Sequence, residues 1–311
     1  MSGEVVVLGS MNLDTVVRLD ALPRPGETKF GSHVFKSPGG KSSNQAVAIA
    51  KSGLEPILIA AIGEDSDGSW LVQEAASHGV DVSHVFKLKS APTGAAFIMV
   101  DESAENFIVV APGANSALDR LTVSSVLSKL RDPFRALVVA MEIKSDVIRE
   151  SMVHARQIGA LTFLNPSPFS HDAISLIGLA DFVIVNQGEN ELLSHALRAS
   201  MEELPSVLAN LGVRHLIVTK GPEGCIHYDL EADTLSAKRF AAPIIKSVDT
   251  TGCGDAFLGS LVSMFVQTRD VQESIKFALK AASYAALSQG AQPSYGKRAE
   301  IESEFSTHSF F

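Results

Sequence analysis

The densest chemistry in the chain lies in Val248-Asp249-Thr250-Thr251-Gly252-Cys253-Gly254-Asp255-Ala256-Phe257. Small residues and two glycines run straight into an apolar helical pattern. The backbone amides of Gly252, Cys253 and Gly254 can therefore converge on an anion at a helix N-terminus. A carboxylate there would repel a bound phosphate. The conflict disappears if Asp255 is a base, taking a proton from a hydroxyl that attacks a phosphoryl group held by those amides. The alternative is an acid near the third helical position that only stabilises the helix dipole. A dinucleotide fingerprint is excluded, because the third glycine of G-x-G-x-x-G would fall on Phe257.

A second polar cluster is Pro38-Gly39-Gly40-Lys41-Ser42-Ser43-Asn44-Gln45-Ala46. Its Gly-Lys-Ser invites comparison with a P-loop, but the first glycine of that pattern would fall on Phe35. A Gly-Gly turn that lets backbone approach a small polar ligand fits better, with Lys41 and Asn44 as donors at a helix start. Gly9-Ser10-Met11-Asn12-Leu13-Asp14 follows an apolar strand, where open α/β sheets bind ligands. Asn12 and Asp14 together suit vicinal hydroxyls, although both residue types also favour turns. Glu142 ends another apolar run. Asn186 and Glu189 follow a third, where they could hold magnesium through water or form a capping box. Thr219-Lys220-Gly221-Pro222-Glu223-Gly224 reads as a Gly-rich turn between strands, consistent with backbone contact to a nucleotide.

The elements that must position these groups alternate. Val5–Leu8, Ile57–Ile62, Leu137–Met141, Leu161–Leu164, Phe182–Val185 and His215–Thr219 read as buried strands. Helical patterns cover 44–52, 69–77, 146–157, 189–198 and 204–211, and after residue 250 the chain reads as helix only, over 254–267 and 271–288. Continuous apolar strands separated by helices imply a parallel sheet covered on both faces. Residues 14–36, and a hairpin of 93–100 and 106–111 turning through 101–105, break the alternation. They are expected to form a small separate sheet acting as a lid or dimer surface, or else to be ordinary edge strands.

The 311 residues carry a formal net charge of −9 without a Lys/Arg cluster, which argues against a nucleic-acid partner. Cys225 and Cys253 cannot make a disulfide framework or a four-ligand zinc site. The nine histidines show no metal-ligand spacing, and no G-x-S-x-G occurs. The first apolar run is too short for a secretory signal, and no apolar stretch approaches the ~20 residues of a membrane span. A soluble cytoplasmic protein is expected.

In this order the segments resemble the PfkB carbohydrate-kinase family, most closely its ribose-phosphorylating members. The resemblance runs from GSMNLD at 9–14 to GAQPS at 290–294, with signatures GGKSSNQA at 39–46 and DTTGCGDAF at 249–257. It implies a ribokinase-like three-layer α/β sandwich with a mostly parallel sheet and a small β-sheet lid, in one kinase domain spanning 1–311. It implies ATP-dependent transfer to the primary hydroxyl of D-ribose and a homodimer formed through the lid. Another sugar, a nucleoside, or a non-catalytic sensor role are the alternatives.

Carried across, Asp255 is the base, with Gly252, Cys253 and Gly254 as the anion hole. Asn12, Asp14, Gly39, Gly40, Lys41, Asn44 and Glu142 hold the sugar. Asn186, Gly254 and the residues Thr219, Lys220, Gly221, Pro222, Glu223 and Gly224 contact ATP. Glu189 belongs to the magnesium element. A monovalent cation, potassium, falls to Asp249, Thr251, Ala285, Ser288, Gly290 and Ser294. Departures are Ser42-Ser43 for Gly-Ala, Gln187 for Glu, Leu279 near adenine, and Cys253 for Ala. At a helix N-terminus the Cys253 thiol is expected to be acidified and open to alkylation.

Overall fold

The computed structural model describes residues 2–101, 106–130, 133–231 and 235–306. Its strands are β1 (Ser2–Gly9), β2 (Asn12–Arg18), β3 (His33–Gly39), β4 (Glu55–Gly63), β5 (Asp81–Leu88), β6 (Gly94–Val100), β7 (Asn106–Ala111), β8 (Ala136–Ala140), β9 (Leu161–Asn165), β10 (Phe182–Asn186), β11 (His215–Thr219), β12 (Cys225–Asp229) and β13 (Ser236–Phe240). Its helices are α1 (Lys41–Lys51), α2 (Ser66–Ser77), α3 (Arg120–Leu127), α4 (Ser145–Gln157), α5 (Ile174–Ile177), α6 (Gln187–Ala196), α7 (Leu204–Asn210), α8 (Cys253–Thr268), α9 (Val271–Ala285) and α10 (Arg298–Glu304).

Nine strands form one sheet in the order β13-β12-β11-β10-β9-β8-β1-β4-β5. All neighbours are parallel except β12 with β11 and β13. The period of two along each strand splits its apolar residues between two cores. Val5, Val7, Ala136, Val138, Phe182 and Ile184 face the side covered by α1, α2, α8 and α9. Val6, Leu8, Leu137, Val139, Val183 and Val185 face α3 to α7. Both faces are buried, which is why these strands read as unbroken apolar runs.

The four-stranded sheet β3-β2-β6-β7 stands apart, with β2 antiparallel to β3 and parallel to β6. Only Ser10 and Met11 separate β1 from β2, so the small sheet grows directly out of the large one. The expected hairpin strands are present, whereas its turn at 102–105 lies outside the described residues. The strand β5 escaped the sequence reading because it is an edge strand of mixed polarity, half-exposed along its length.

The position of β1 matters most for function. It pairs with β4 on one side and β8 on the other, so the order of strands reverses there. Open α/β sheets leave a crevice beyond the strand ends at such a point.

Candidate functional site

The helix α8 is nearly apolar all round, since it packs on the sheet and between α1 and α9, and its residues 255–266 are buried. Gly259 lets α1 come close: a Cβ there would lie 2.5 Å from the carbonyl of Gln45 and 2.6 Å from the Ala48 methyl. That approach brings the start of α1 against the start of α8. Asn44 Nδ2 donates to Asp255 Oδ2 and Gln45 Nε2 donates to Asp255 Oδ1, each at 3.0 Å. Both carboxylate oxygens of Asp255 are thus oriented by side-chain amides in a buried setting.

Gly252 caps α8 in the left-handed region, at φ 76°, and a Cβ there would meet the Ala291 Cβ at 2.5 Å and the Tyr295 hydroxyl at 2.6 Å. Glycine is required on both counts. Tyr295 donates its hydroxyl to the Gly252 carbonyl at 2.9 Å, fixing the turn. Cys253 N, expected in the anion hole, is instead taken by the Thr250 carbonyl and Ala256 N by that of Gly252, while the amides of Gly254 and Asp255 find no acceptor among the described residues. They remain available to an anion, as the first amides of a helix ordinarily are.

The start of α1 is built the same way. Gly40 sits at φ 88° and offers no side-chain cap. A Cβ on it would lie 2.8 Å from Asn12 N and 2.9 Å from Met11 Cα, and one on Gly39 would overlap the Asp14 carboxylate. The Gly-Gly pair therefore lets β3 close against the β1–β2 link. Glu142, just past β8, supplies the missing cap, with Oε2 accepting from Lys41 N at 2.8 Å and from the Ser10 hydroxyl.

Asn12 Oδ1 accepts from Asn115 Nδ2 at 2.7 Å, and Asn115 is itself fixed by Met11 N at 3.0 Å. This leaves the Asn12 amide nitrogen as its donor. Burial, then the charges of Glu142 and Asp255, push Asp14 from 3.8 up to about 7, against the opposing pull of Lys41. Burial works against the charge on Lys41, but Asp255, Glu142, Glu189 and Asp14 outweigh it and hold the ammonium above its ordinary range.

Two cavities meet here. A polar cleft of ≈ 220 Å³ lies beyond the ends of β9, β10 and β11, among Lys41, Asn165, Asn186, Glu189, Asp255 and the Gly252 and Gly254 backbone. A slot of ≈ 340 Å³ joins it at Thr219 and Gly254, walled mainly by Pro222, Ile244, Ile245, Phe257, Leu279 and Ala282. The slot is apolar, and its size suits a small planar ligand.

Of the segment expected to contact ATP, Thr219, Gly221, Pro222 and Gly224 line the slot, whereas Lys220 and Glu223 pair with each other at 3.3 Å outside its wall. Asn186 and Glu189 do form the capping box, with Asn186 N donating to Glu189 Oε2 at 2.9 Å and Glu189 N to Asn186 Oδ1 at 2.8 Å. Both also line the polar cleft, so capping and ligand contact coexist, with Glu189 Oε1 left over.

Asp249 gathers the segments expected to hold a cation. Its carboxylate accepts from Thr251 N at 2.9 Å, Thr251 Oγ1 at 2.7 Å and Gly290 N at 2.9 Å. Ser294 Oγ donates to Ala291 O at 2.8 Å, and Ser288 N to the Ala285 carbonyl at 3.4 Å.

A further expectation is overturned. The Cys253 thiol is not acidified: burial, then the charges of Asp249 and Asp255, push it up to about 12. The helix terminus does not compensate for two nearby carboxylates and a largely apolar wall.

Three buried amides, Gln45, Asn115 and Gln292, belong to the site and were missed. The only sequence signal for the first was its adjacency to Asn44.

A pfkB family carbohydrate kinase pattern matches residues 2–298. The chain is 31% identical to the ribokinase of Haemophilus influenzae, over 96% of this chain and 97% of that one. It is 26% identical to the deoxyribokinase of Salmonella typhi, over 94% and 95%. The crystal structure of a ribokinase from Cryptococcus neoformans in complex with ADP superposes with a TM-score of 0.83 at 26% identity, covering 97% of this chain and 100% of the other.

Proposed function

The chain belongs to the pfkB family of carbohydrate kinases, and from that premise we propose that it transfers the γ-phosphoryl group of ATP to the primary hydroxyl of D-ribose, giving D-ribose 5-phosphate. The observation that carries the reading is the place of Asp255. It stands on the first turn of α8, where the polar cleft meets the slot, with both oxygens oriented from α1.

The slot takes the adenine end of the nucleotide, and the phosphates pass Gly254 and Thr219 into the cleft. The free amides at the start of α8 neutralise charge as it develops on the transferred group, each such donor contributing about 10²–10³ in rate. Asp255 receives the hydroxyl proton while the new O–P bond forms in line with the leaving ADP oxygen. Lys41 supplies a fixed positive charge beside the phosphates.

Asn12, Asp14, Glu142 and the Gly39-Gly40 backbone hold the sugar hydroxyls, and Asn44 acts on the sugar through Asp255. The small sheet closes over the site as a lid and excludes water, the competing acceptor. Exposed Phe97, Phe107, Ile108 and Val109 on that sheet support a homodimer through it.

Magnesium and a monovalent cation fit the residues present. Glu189 keeps one carboxylate oxygen for a hydrated divalent ion, and the Asp249–Thr251 and Ala285–Ser294 segments offer one carboxylate among neutral oxygens, a donor set suited to potassium. When bound, these ions add positive charge around the phosphates and the anion hole. Among the described residues no helix is long and apolar enough to cross a membrane.

The similarity to a deoxyribokinase favours 2-deoxyribose as the second acceptor. The deciding assay is ADP release from ATP and magnesium with D-ribose, 2-deoxyribose and fructose, with and without potassium. Potassium-stimulated turnover on ribose supports the reading. Turnover on another acceptor alone moves the substrate, and silence on every acceptor removes the reaction.

A further inference from the structure

Behind the base lies a chain of buried amides. While ionised, Asp255 can only accept hydrogen bonds, so it sets the polarity of everything attached to it. Asn44 must turn Nδ2 toward it, which leaves Oδ1 facing away. That oxygen accepts from Gln292 Nε2 at 3.0 Å, and the same nitrogen donates to Ser43 Oγ at 3.0 Å.

Gln292 therefore has to present its nitrogen, and its Oε1 stays buried without a partner among the described residues. Reversing the Gln292 amide would oppose two carbonyl oxygens, or turn Asn44 and aim its oxygen at the carboxylate. An orphaned buried acceptor is unfavourable, yet the arrangement tolerates it and keeps the polarity. Gln292 is also rigid. It is fully buried, and Lys51 Nζ clamps its carbonyl at 3.2 Å and that of Tyr295 at 2.6 Å.

We propose that Gln292 is a positioning residue which, through Asn44, holds the Asp255 carboxylate at the angle needed for proton removal. The inference rests on the reading of Asp255 as the base. Gln292 does not line the cleft or the slot, and it acts only through its neighbour.

Gln292→Met keeps the length and removes both donors. On the acceptor that the wild type uses, kcat should fall about tenfold to a hundredfold, as expected for a misaligned reacting group, with KM for sugar and nucleotide nearly unchanged. In an Asn44→Ala background the same change should have little further effect, because its route is gone. Unaltered kcat, or an equal fractional loss in both backgrounds, overturns the relay and leaves a role in stability alone.

A readout independent of turnover is the side-chain amide resonance pair of Asn44. It should shift and lose exchange protection in Gln292→Met, and an unchanged pair sinks the proposal. If the wild type phosphorylates nothing while these resonances still move, the kinase reading fails and the coupling stands. Should Gln292→Met not fold, Gln292→Asn withdraws the donor by one methylene and carries the same expectations.

Discussion

The slot and the cleft touch at Thr219 and Gly254 but are made of opposite materials. The slot is walled mainly by apolar side chains, many from the coil of residues 242–247. The cleft and the adjoining start of α1 are held by charged and amide groups fixed through long-range hydrogen bonds. An apolar wall discriminates weakly among ligands of similar shape, whereas buried polar groups reject a ligand that leaves them unpaired. Selectivity in this kinase should therefore reside on the acceptor side.

The sharpest way to separate the two regions is Asp255→Asn. If Asp255 is the proposed base, turnover should drop about 10³-fold, within the range for losing one, while nucleotide affinity measured by calorimetry stays close to wild type. A parallel loss of nucleotide binding would break the division. Gly252→Ala tests the seam between them. The added methyl meets Ala291 and the Tyr295 hydroxyl at a left-handed position, so kcat should fall about 10²-fold as the anion-binding amides are displaced.

Asp14, packed against Gly39 beside the start of α1, gives that side of the site a pH signature that the slot lacks. Its folded value is raised to about 7, so the stability associated with its protonated form is fully present below about pH 3.8 and is lost as pH rises through 7. Between pH 5 and pH 8, urea unfolding should show about 2 kcal/mol of that loss, and Asp14→Asn should abolish this part of the pH dependence. Cys253, at the slot wall, gives a smaller effect. With its thiol pushed up to about 12, alkylation at pH 8 should be at least about tenfold slower in the native protein than in urea, as mapped by mass spectrometry. Smallest of all, Leu279→Ala should raise the nucleotide KM a few-fold and leave the sugar KM alone.

What could be read in the sequence divides along the same seam. The Asp249–Phe257 segment and the Gly39-Gly40 pair announce themselves because neighbouring residues do the work, through consecutive amides and glycines at a turn. Parallel strands announce themselves through unbroken apolar runs. Asn115 gave no signal and Gln45 and Gln292 little beyond lying in segments already singled out, since each acts on a partner more than a hundred residues away and a lone amide has no spacing to recognise. The Cys253 expectation failed for a related reason. Its own helix terminus was visible, but the wall that buries it comes from the coil of 241–250 and from α9.

The two-residue link between β1 and β2 has a mechanical consequence. Asn12 and Asp14 are carried by the small sheet, whereas Glu142 follows β8 of the large sheet and Asp255 lies on α8, which packs against that sheet. Under the proposed function, any rotation of the small sheet about Ser10-Met11 takes the Asn12 and Asp14 contacts to the acceptor with it. On that reading sheet opening and sugar departure become one event, and the dissociation rate of the acceptor gauges how often that sheet swings.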